Sequence, residues 1–533
     1  MRRSSRYLKI IFFLALLLRI ALIFRSNDLF YSSPFIEDAY YSFSVARAIG
    51  HGNGFSVDGT HLTNGVQPLI VLLYAPFFSL CTDEIALRFC FIIDAIIEFS
   101  LAYLCLLFVR ICSRTLQKDK RELWSAGVFA CSILLFSFSS SVYTLNGLET
   151  GLSSAFVILN FILYRRWFID TQEEASILHI AAYGFLSGLM VLARIDTAFF
   201  IPVIGAHYLL SARKSGRLFH RIKQVTLIGI ASLAVSAPWW IYNMANFGSF
   251  IPTSGISQSL RVPVFENITS FVQLLLNTIL VIGYIPYTPE LNKFHAAIIL
   301  GSGIFILSVF LFRNLRRFMS ALYRSIRVHW NMQPFFIMLA YAGILATYYL
   351  FFFGAPHFLQ RYLFTLHVTV VCFVSVILSE VFLALRQKSK RSHQAAIIAF
   401  FAVLIGVYAI PYSWNFHSGI ARQQNDFYRV SGWISAHTQS SDPVGMGQSG
   451  TAGFFNSNVT NLDGKVNYEV LNALRTNAFC PYVRSKQFEF LIDWKKFFID
   501  LSYCNILSGY RCIDSVGRFY IYKRTQYSAF APP

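Results

Sequence analysis

Glu37 and Asp38 stand side by side in the run Ile36-Glu37-Asp38-Ala39-Tyr40-Tyr41-Ser42-Phe43, at the head of a stretch that reads as helix. A carboxylate held at a membrane surface can take the proton from an acceptor hydroxyl, which is the work of a general base. The competing reading is helix capping, because a helix N-terminus favours negative charge there. Further along, His51-Gly52-Asn53-Gly54-Phe55 and Thr63-Asn64-Gly65-Val66-Gln67-Pro68-Leu69 form a Gly-rich polar loop. His51, His61, Asp58 and Asp38 share that loop and could ligate a divalent cation, but no His pair at i, i+4 and no HExxH pattern supports a metal site. No metal ligands are therefore assigned.

A second pair of acids, Asp94 and Glu98, is four residues apart inside an apolar stretch and so lies on one face of a helix near mid-membrane. Ionised carboxylates are costly there and are functional by default, as pathway residues of a transporter or a lipid-linked sugar flippase. The structural alternative is a lock with Arg19 of the first apolar segment. The Gly445-Met446-Gly447-Gln448-Ser449-Gly450 run matches a dinucleotide fingerprint, yet its preceding strand is very short and no βαβ unit is evident, so it reads as a turn.

What must position these residues is a set of membrane helices. Hydrophobic residues make up 55% of the 533 positions and charged residues only 13%, too much apolar surface for a soluble domain to hide. Mean hydropathy is +0.52, and many apolar stretches are long enough to cross a hydrocarbon layer of ~30 Å, so the lipid bilayer is the solvent. The net charge of +19 does not indicate nucleic acid, because the basic residues form no single patch. They collect instead in short loops at 2–9, 110–121, 213–223, 313–327 and 386–391, which the positive-inside rule places in the cytoplasm.

Counting from those loops demotes the apolar segments 66–80 and 271–285 to interfacial or re-entrant helices. About eleven spans remain, near 8–24, 86–109, 124–142, 149–164, 177–193, 197–210, 224–242, 296–312, 334–353, 362–385 and 395–412. This divides the chain into a transmembrane domain, 1–412, with a long first outer loop at 25–85, and an extracytoplasmic domain at 413–533. The second part is polar, with short strand-like runs at 444–446 and 518–522, as in a small α/β domain. Cys480, Cys504 and Cys512 lie in it, which leaves room for one disulfide in an oxidising compartment.

The Glu-Asp-Ala-Tyr-Tyr-Ser-Phe start, the Gly-Asn-Gly-Phe turn and the Thr63 to Leu69 run together resemble the first outer loop of C-type (GT-C) glycosyltransferases. That superfamily includes protein mannosyltransferases and the bacterial aminoarabinose and arabinofuranosyl transferases. Asn146-Gly147-Leu148-Glu149-Thr150, Ala193-Arg194-Ile195-Asp196 and Gln360-Arg361-Tyr362 add to the likeness, in the same order and on the same predicted face.

The resemblance implies a polytopic, GT-C-like α-helical enzyme that takes a sugar from a polyprenyl-phosphate donor. The acceptor would be a glycan, lipid or protein hydroxyl, and the location a bacterial inner membrane with the C-terminal domain in the periplasm. Asp38 takes the position of the catalytic base, with Glu37 in reserve. Arg194, Arg361 and Tyr362 are expected at the donor phosphate, where a guanidinium clamps by paired hydrogen bonds. Asn64, Gln67, Glu149 and Asp196 are expected at the acceptor, although Glu149 could equally cap its helix, and Arg194 could pair locally with Asp196. The superfamily differs in metal use among its members. The segment Asn461-Leu462-Asp463-Gly464-Lys465-Val466-Asn467 resembles one in the C-terminal domain of some of these enzymes, with no role assigned here.

Overall fold

The computed structural model describes residues 2–113, 120–171, 174–211, 217–260, 262–279, 313–354, 356–388, 420–500 and 502–525. Among the described residues, five helices are long and apolar enough to cross a membrane: Asp83–Ile111, Thr150–Ile169, Leu218–Phe247, Gln333–Phe352 and Phe364–Leu383. A helix over Arg2–Ile23 and shorter apolar helices at Ile177–Ala193 and Ile195–Ser211 match other expected spans. The expected spans at 296–312 and 395–412 lie outside the described residues.

One expected span is not continuous. The 124–142 segment breaks at Ser137, whose backbone is extended, into helices Lys120–Phe136 and Phe138–Thr144. The break has a physical partner: Leu135 O, released from its helical ladder, accepts Arg19 Nη2 at 2.7 Å. In the first loop, Pro68–Leu80 is a helix of 13 residues with Pro at its start and Pro76 inside. At 1.5 Å per residue it reaches about 20 Å, short of a hydrocarbon layer, and it lies against the Glu37–Gly50 helix.

The C-terminal part folds around a five-stranded sheet of order β2-β1-β3-β5-β4, where β1 is Val444–Met446, β2 Val459–Asn461, β3 Phe490–Trp494, β4 Tyr510–Val516 and β5 Phe519–Arg524. β1 is parallel to β2 and β3, while β5 is antiparallel to β3 and β4. The helix Gly450–Phe455 links β1 to β2, so a miniature βαβ crossover exists where the sequence showed none. Strands of three residues are too short to display a period. Cys480 and Cys504 form the disulfide, and Cys512 stays free on β4.

This sheet unit does not stand apart from the membrane helices. Phe454 and Val466 are buried in the same apolar cluster as Tyr40, Phe43, Tyr74 and Phe78 of the first loop. Burying one such phenylalanine is worth ~1.5–3 kcal/mol, which fixes the seam between the first loop and the sheet unit.

Candidate active site

Asp38 occupies the first turn of the Glu37–Gly50 helix, whose start is set by a hydrogen bond from Ile36 N to Asn146 O (3.4 Å). Gly147, at φ +82°, lets that turn approach: a Cβ there would strike Phe43 and Ala39. The Asn146-Gly147 motif therefore serves to seat the helix that carries Asp38.

Two cations meet the Asp38 carboxylate from opposite ends of the chain. Arg361 Nη1 donates to Oδ2 at 3.0 Å, and Lys465 Nζ lies 3.6 Å from Oδ1. Side-chain exposures of 16% for Asp38, 11% for Arg361 and 15% for Lys465 put this trio at the edge of the solvent-accessible volume. Burial alone would raise the pKa of Asp38, but Lys465 and Arg361 outweigh it and hold the carboxyl below its usual value. Asp38 is thus ionised at neutral pH and, while both cations hold it, a weak base.

Lys465 is placed by its own turn. Lys465 N donates to Asp463 Oδ1 (2.9 Å), Gly464 N to Asn461 Oδ1 (3.1 Å), and Gly464 takes φ +74°. Thr253, at the start of the Thr253–Ser259 helix, bridges the first loop to this turn: Thr253 N donates to Asn64 Oδ1 (2.9 Å), and Thr253 Oγ1 donates to Lys465 O (2.8 Å). A Cβ on Gly65 would collide with Lys465 O, so the Thr63-Asn64-Gly65 run fits its glycine to the Lys465 backbone. Asn64 holds structure here.

Behind Arg361 lies a second, drier layer. Arg194, 4% exposed, is extended between Ile177–Ala193 and Ile195–Phe199 and pairs with Asp196 (2.9 Å) and, more loosely, Glu149 (4.0 Å). Its Nη1 donates to Arg361 O (3.2 Å) and its Nη2 to Tyr349 Oη (3.1 Å), while Tyr349 Oη also donates to Asp196. The Tyr362 ring sits between the two guanidiniums, 4.6 Å from Arg194 and 4.9 Å from Arg361, and stacks on Tyr349. Gln67 Oε1 accepts Ile195 N at 3.4 Å, tying the first loop to this layer. Arg361, by contrast, keeps a buried Nε that has no hydrogen-bond partner among the described residues.

Asp38, Arg361, Tyr362, Arg194, Asp196, Glu149 and Gln67 therefore converge. Glu37 does not. Its carboxylate turns the other way and accepts Thr451 N (3.1 Å) and Thr451 Oγ1 (2.5 Å) at the start of the Gly450–Phe455 helix. Burial pushes Glu37 up to about 7, against the pull of the Thr451 hydrogen bonds. Capping thus describes Glu37, although the helix it caps belongs to the sheet unit and not to its own segment.

The mid-membrane acids are locked as well. Arg19 binds Glu98 by two hydrogen bonds, Nε to Oε2 at 2.8 Å and Nη2 to Oε1 at 2.7 Å, and Ser141 and Thr144 donate to the same carboxylate. Asp94 accepts Tyr74 Oη (2.5 Å) and Gly147 N (2.9 Å).

The donor set does not fit a metal ion. Both oxygens of Asp38 face cations, and Asp58 is spent on His61 (2.7 Å) and on the Thr60 and His61 amides. Among the described residues no group of three His, Cys, Asp or Glu converges.

No family model and no curated protein matches the chain. Solved structures do. ArnT from Cupriavidus metallidurans bound to undecaprenyl phosphate superposes with a TM-score of 0.58 at 12% identity, covering 98% of each chain. The chain has the GT-C fold. The apo form of the same ArnT gives 0.57 at 11% identity over 98% of both chains. The apo oligosaccharyltransferase of Archaeoglobus fulgidus gives 0.50 at 12% identity, over 98% of this chain and 74% of that one. The GT-C fold with a C-terminal α/β unit is the architecture expected from the sequence.

Lys465 is the site residue that sequence reasoning missed. Its segment had been singled out by resemblance, and Lys465 is the one basic residue in it. Nothing local, however, indicates that it would reach Asp38 across more than four hundred residues of chain.

Proposed function

We propose that this protein is a membrane glycosyltransferase that moves a sugar from a polyprenyl-phosphate donor to an acceptor hydroxyl on the non-cytoplasmic face. The observation that carries the reading is Asp38 held between Arg361 and Lys465 at a partly open edge of the fold. An ionised carboxylate beside two cations offers both halves of the reaction: a base for the acceptor and counter-charges for a leaving phosphate. That ArnT, with the same fold, was crystallised with undecaprenyl phosphate supports a polyprenyl phosphate as the carrier. The basic loops place the first loop and the sheet unit outside, which in a bacterial inner membrane means the periplasm.

In this mechanism the donor phosphate enters and draws Arg361 and Lys465 away from Asp38. Losing those neighbours raises the basicity of Asp38 at the moment a substrate is present. The acceptor oxygen attacks the anomeric carbon, its proton passes to Asp38, and the bond from that carbon to the phosphate oxygen breaks. The electron pair leaves with the polyprenyl phosphate, whose negative charge Arg361 and Lys465 neutralise, and the anomeric centre inverts. Arg194 stands behind Arg361, fixing its backbone and adding positive charge, while Tyr362 keeps the two guanidiniums apart. Glu149 and Asp196 balance Arg194, and Gln67 holds the first loop against them.

The test is transfer by purified protein from radiolabelled undecaprenyl-phosphate sugars. Asp38→Asn should lower the rate by about 10²–10⁴-fold, the range for loss of a general base. Asp94→Asn, if it folds, should keep transfer. An Asp38→Asn protein that transfers normally overturns the reading. So does an Asp94→Asn protein that folds and binds undecaprenyl phosphate but neither transfers nor moves the lipid, which is the flippase outcome.

A further inference from the structure

A cavity of about 240 Å³ opens at the seam between the first loop and the sheet unit, bordered by the 461–467 segment that carries Lys465. One wall is the Glu37–Gly50 helix, through Tyr41, Ser44 and Ala48, and the facing wall is β2 with Gly453 and Ser457. Tyr41 lies one helical turn beyond Asp38. The 461–467 segment is shared: Asp463 and Lys465 turn to the Asp38 side, whereas Asn461, Val466 and Asn467 line the cavity.

The two sides of that segment differ in chemistry. The Asp38 side is built of cations with a carboxylate. In the cavity, charged groups are already matched: Arg47 pairs with Asp83 (2.7 Å), Lys486 with Glu469 (3.0 Å), and His61 with Asp58. What remains for a ligand are hydroxyls and amides, Ser44, Ser457, Thr460 and Asn53 among them, and the rings of Tyr41 and Tyr482. Pockets that mix flat aromatic faces with a few oriented polar groups select uncharged ligands that carry hydroxyls.

We infer that this cavity is a saccharide-binding subsite, and that it holds a sugar ring of the acceptor while the acceptor hydroxyl is presented to Asp38. That assignment rests on the transferase reading for the word acceptor, but the binding of a neutral sugar does not. A peptide acceptor fits less well. Adding a strand to β2 needs a free sheet edge, and β2 is three residues long with Asn461 O already taken by Asn467 Nδ2 (3.1 Å).

Gly453 gives a clean probe, because a Cβ there meets nothing within 4 Å and its backbone has no positive φ. Binding of methyl α-glucoside, α-mannoside and α-galactoside to the full-length protein is measured by saturation-transfer NMR, beside binding of undecaprenyl phosphate. At least one glycoside should bind saturably to wild type and to Asp38→Asn. It should bind at least 10-fold more weakly to Gly453→Trp, with undecaprenyl phosphate binding unchanged and Gly453→Ala like wild type. Should Gly453→Trp also lose the lipid phosphate, Ser457→Trp on the same wall decides in its place. The inference falls if no glycoside binds wild type, if the Trp variants bind glycoside normally, or if a short neutral peptide displaces the glycoside while no free sugar competes. Glycoside binding by a wild-type protein that transfers no sugar from undecaprenyl-phosphate donors sinks the transferase reading and leaves the saccharide site standing.

Discussion

Two arginine–carboxylate pairs of similar length, one made by two hydrogen bonds and one by a single bond, occupy opposite situations in this molecule. Arg19–Glu98 and Arg361–Asp38 both close at about the length of a charge-assisted hydrogen bond, 2.7 and 3.0 Å. Arg19 and Glu98 are 1% and 2% exposed, and the pair is completed by Leu135 O, Ser141 and Thr144. Arg361 and Asp38 sit at a seam, partly exposed, with a third charge on Lys465 and an Arg361 Nε that has no hydrogen-bond partner among the described residues. A buried pair with every lone pair taken has no exchange available, because releasing either partner leaves a bare charge in hydrocarbon. A pair at an open edge can trade its partner for a substrate phosphate. The same chemistry is therefore a lock in one place and, in the proposed reaction, a binding device in the other, and the lock leaves Glu98 no free carboxylate for transport.

The contrast is broken most directly at Arg19. Arg19→Met should cost about 3–5 kcal/mol, as expected for stripping one partner from a buried pair, and should show as lost thermal stability or failed expression. Lys465→Met, at a partly open site, should shift stability by under about 1 kcal/mol in the same melting assay. Equal losses would mean that the two regions do not differ in kind.

Glu37 is the intermediate case, a buried carboxyl paired with no cation among the described residues. Its folded pKa, pushed up to about 7 by burial, exceeds its ordinary 4.5, so the folded state holds a proton that the unfolded state has lost. Stability should then fall as pH rises from about 4.5 through 7, by at most about 3 kcal/mol in total. Buried Asp493, also pushed up to about 7 while accepting Gly447 N and Gln448 N, should add a loss of the same sign. Glu37→Gln keeps an oxygen for Thr451 and should flatten the Glu37 part of that slope in melting curves taken from pH 5 to 8. An unchanged slope would place the titration elsewhere.

A kinetic measurement on Lys465 sharpens the exchange itself. Lys465→Met should raise the KM for a polyprenyl-phosphate donor by about 10- to 100-fold, or ~1.4–2.8 kcal/mol, with a smaller change in kcat. A fall in kcat with KM unmoved would mean that Lys465 acts on Asp38 and not on the phosphate.

Much of this was legible in the chain. Apolar stretches of span length gave the helices, while the basic runs at 2–9 and 313–327, read from sequence as cytoplasmic loops, fold into the Arg2–Ile23 and Arg313–His329 helices. Asp94 and Glu98 were recognisable as a matter needing explanation, because an acid in hydrocarbon needs a partner; Arg19 supplies it for Glu98, whereas Asp94 is held by Tyr74 and Gly147 instead. The adjacency of Glu37 and Asp38 was misleading in one respect. Successive residues on a helix point about 100° apart, so neighbours in sequence went to different tasks, one to the sheet unit and one to the cations. The break at Ser137 and the βαβ crossover were not legible, since both depend on what lies opposite: an arginine from another helix in one case, a parallel strand in the other.

Sequence by itself determined the solvent and the apolar helices, and it singled out Asp38 as the candidate base, because hydropathy and residue type are local properties. Tertiary structure alone decided which cations face that acid. Arg361 was expected at a donor phosphate and Lys465 lay in a segment without an assigned role, and nothing local in either motif indicates a contact with Asp38. They become partners of Asp38 because a short helix after one apolar segment and a glycine-bearing turn in the sheet unit are brought to one seam. Electrostatic pairing depends on distance in space, which chain position does not encode.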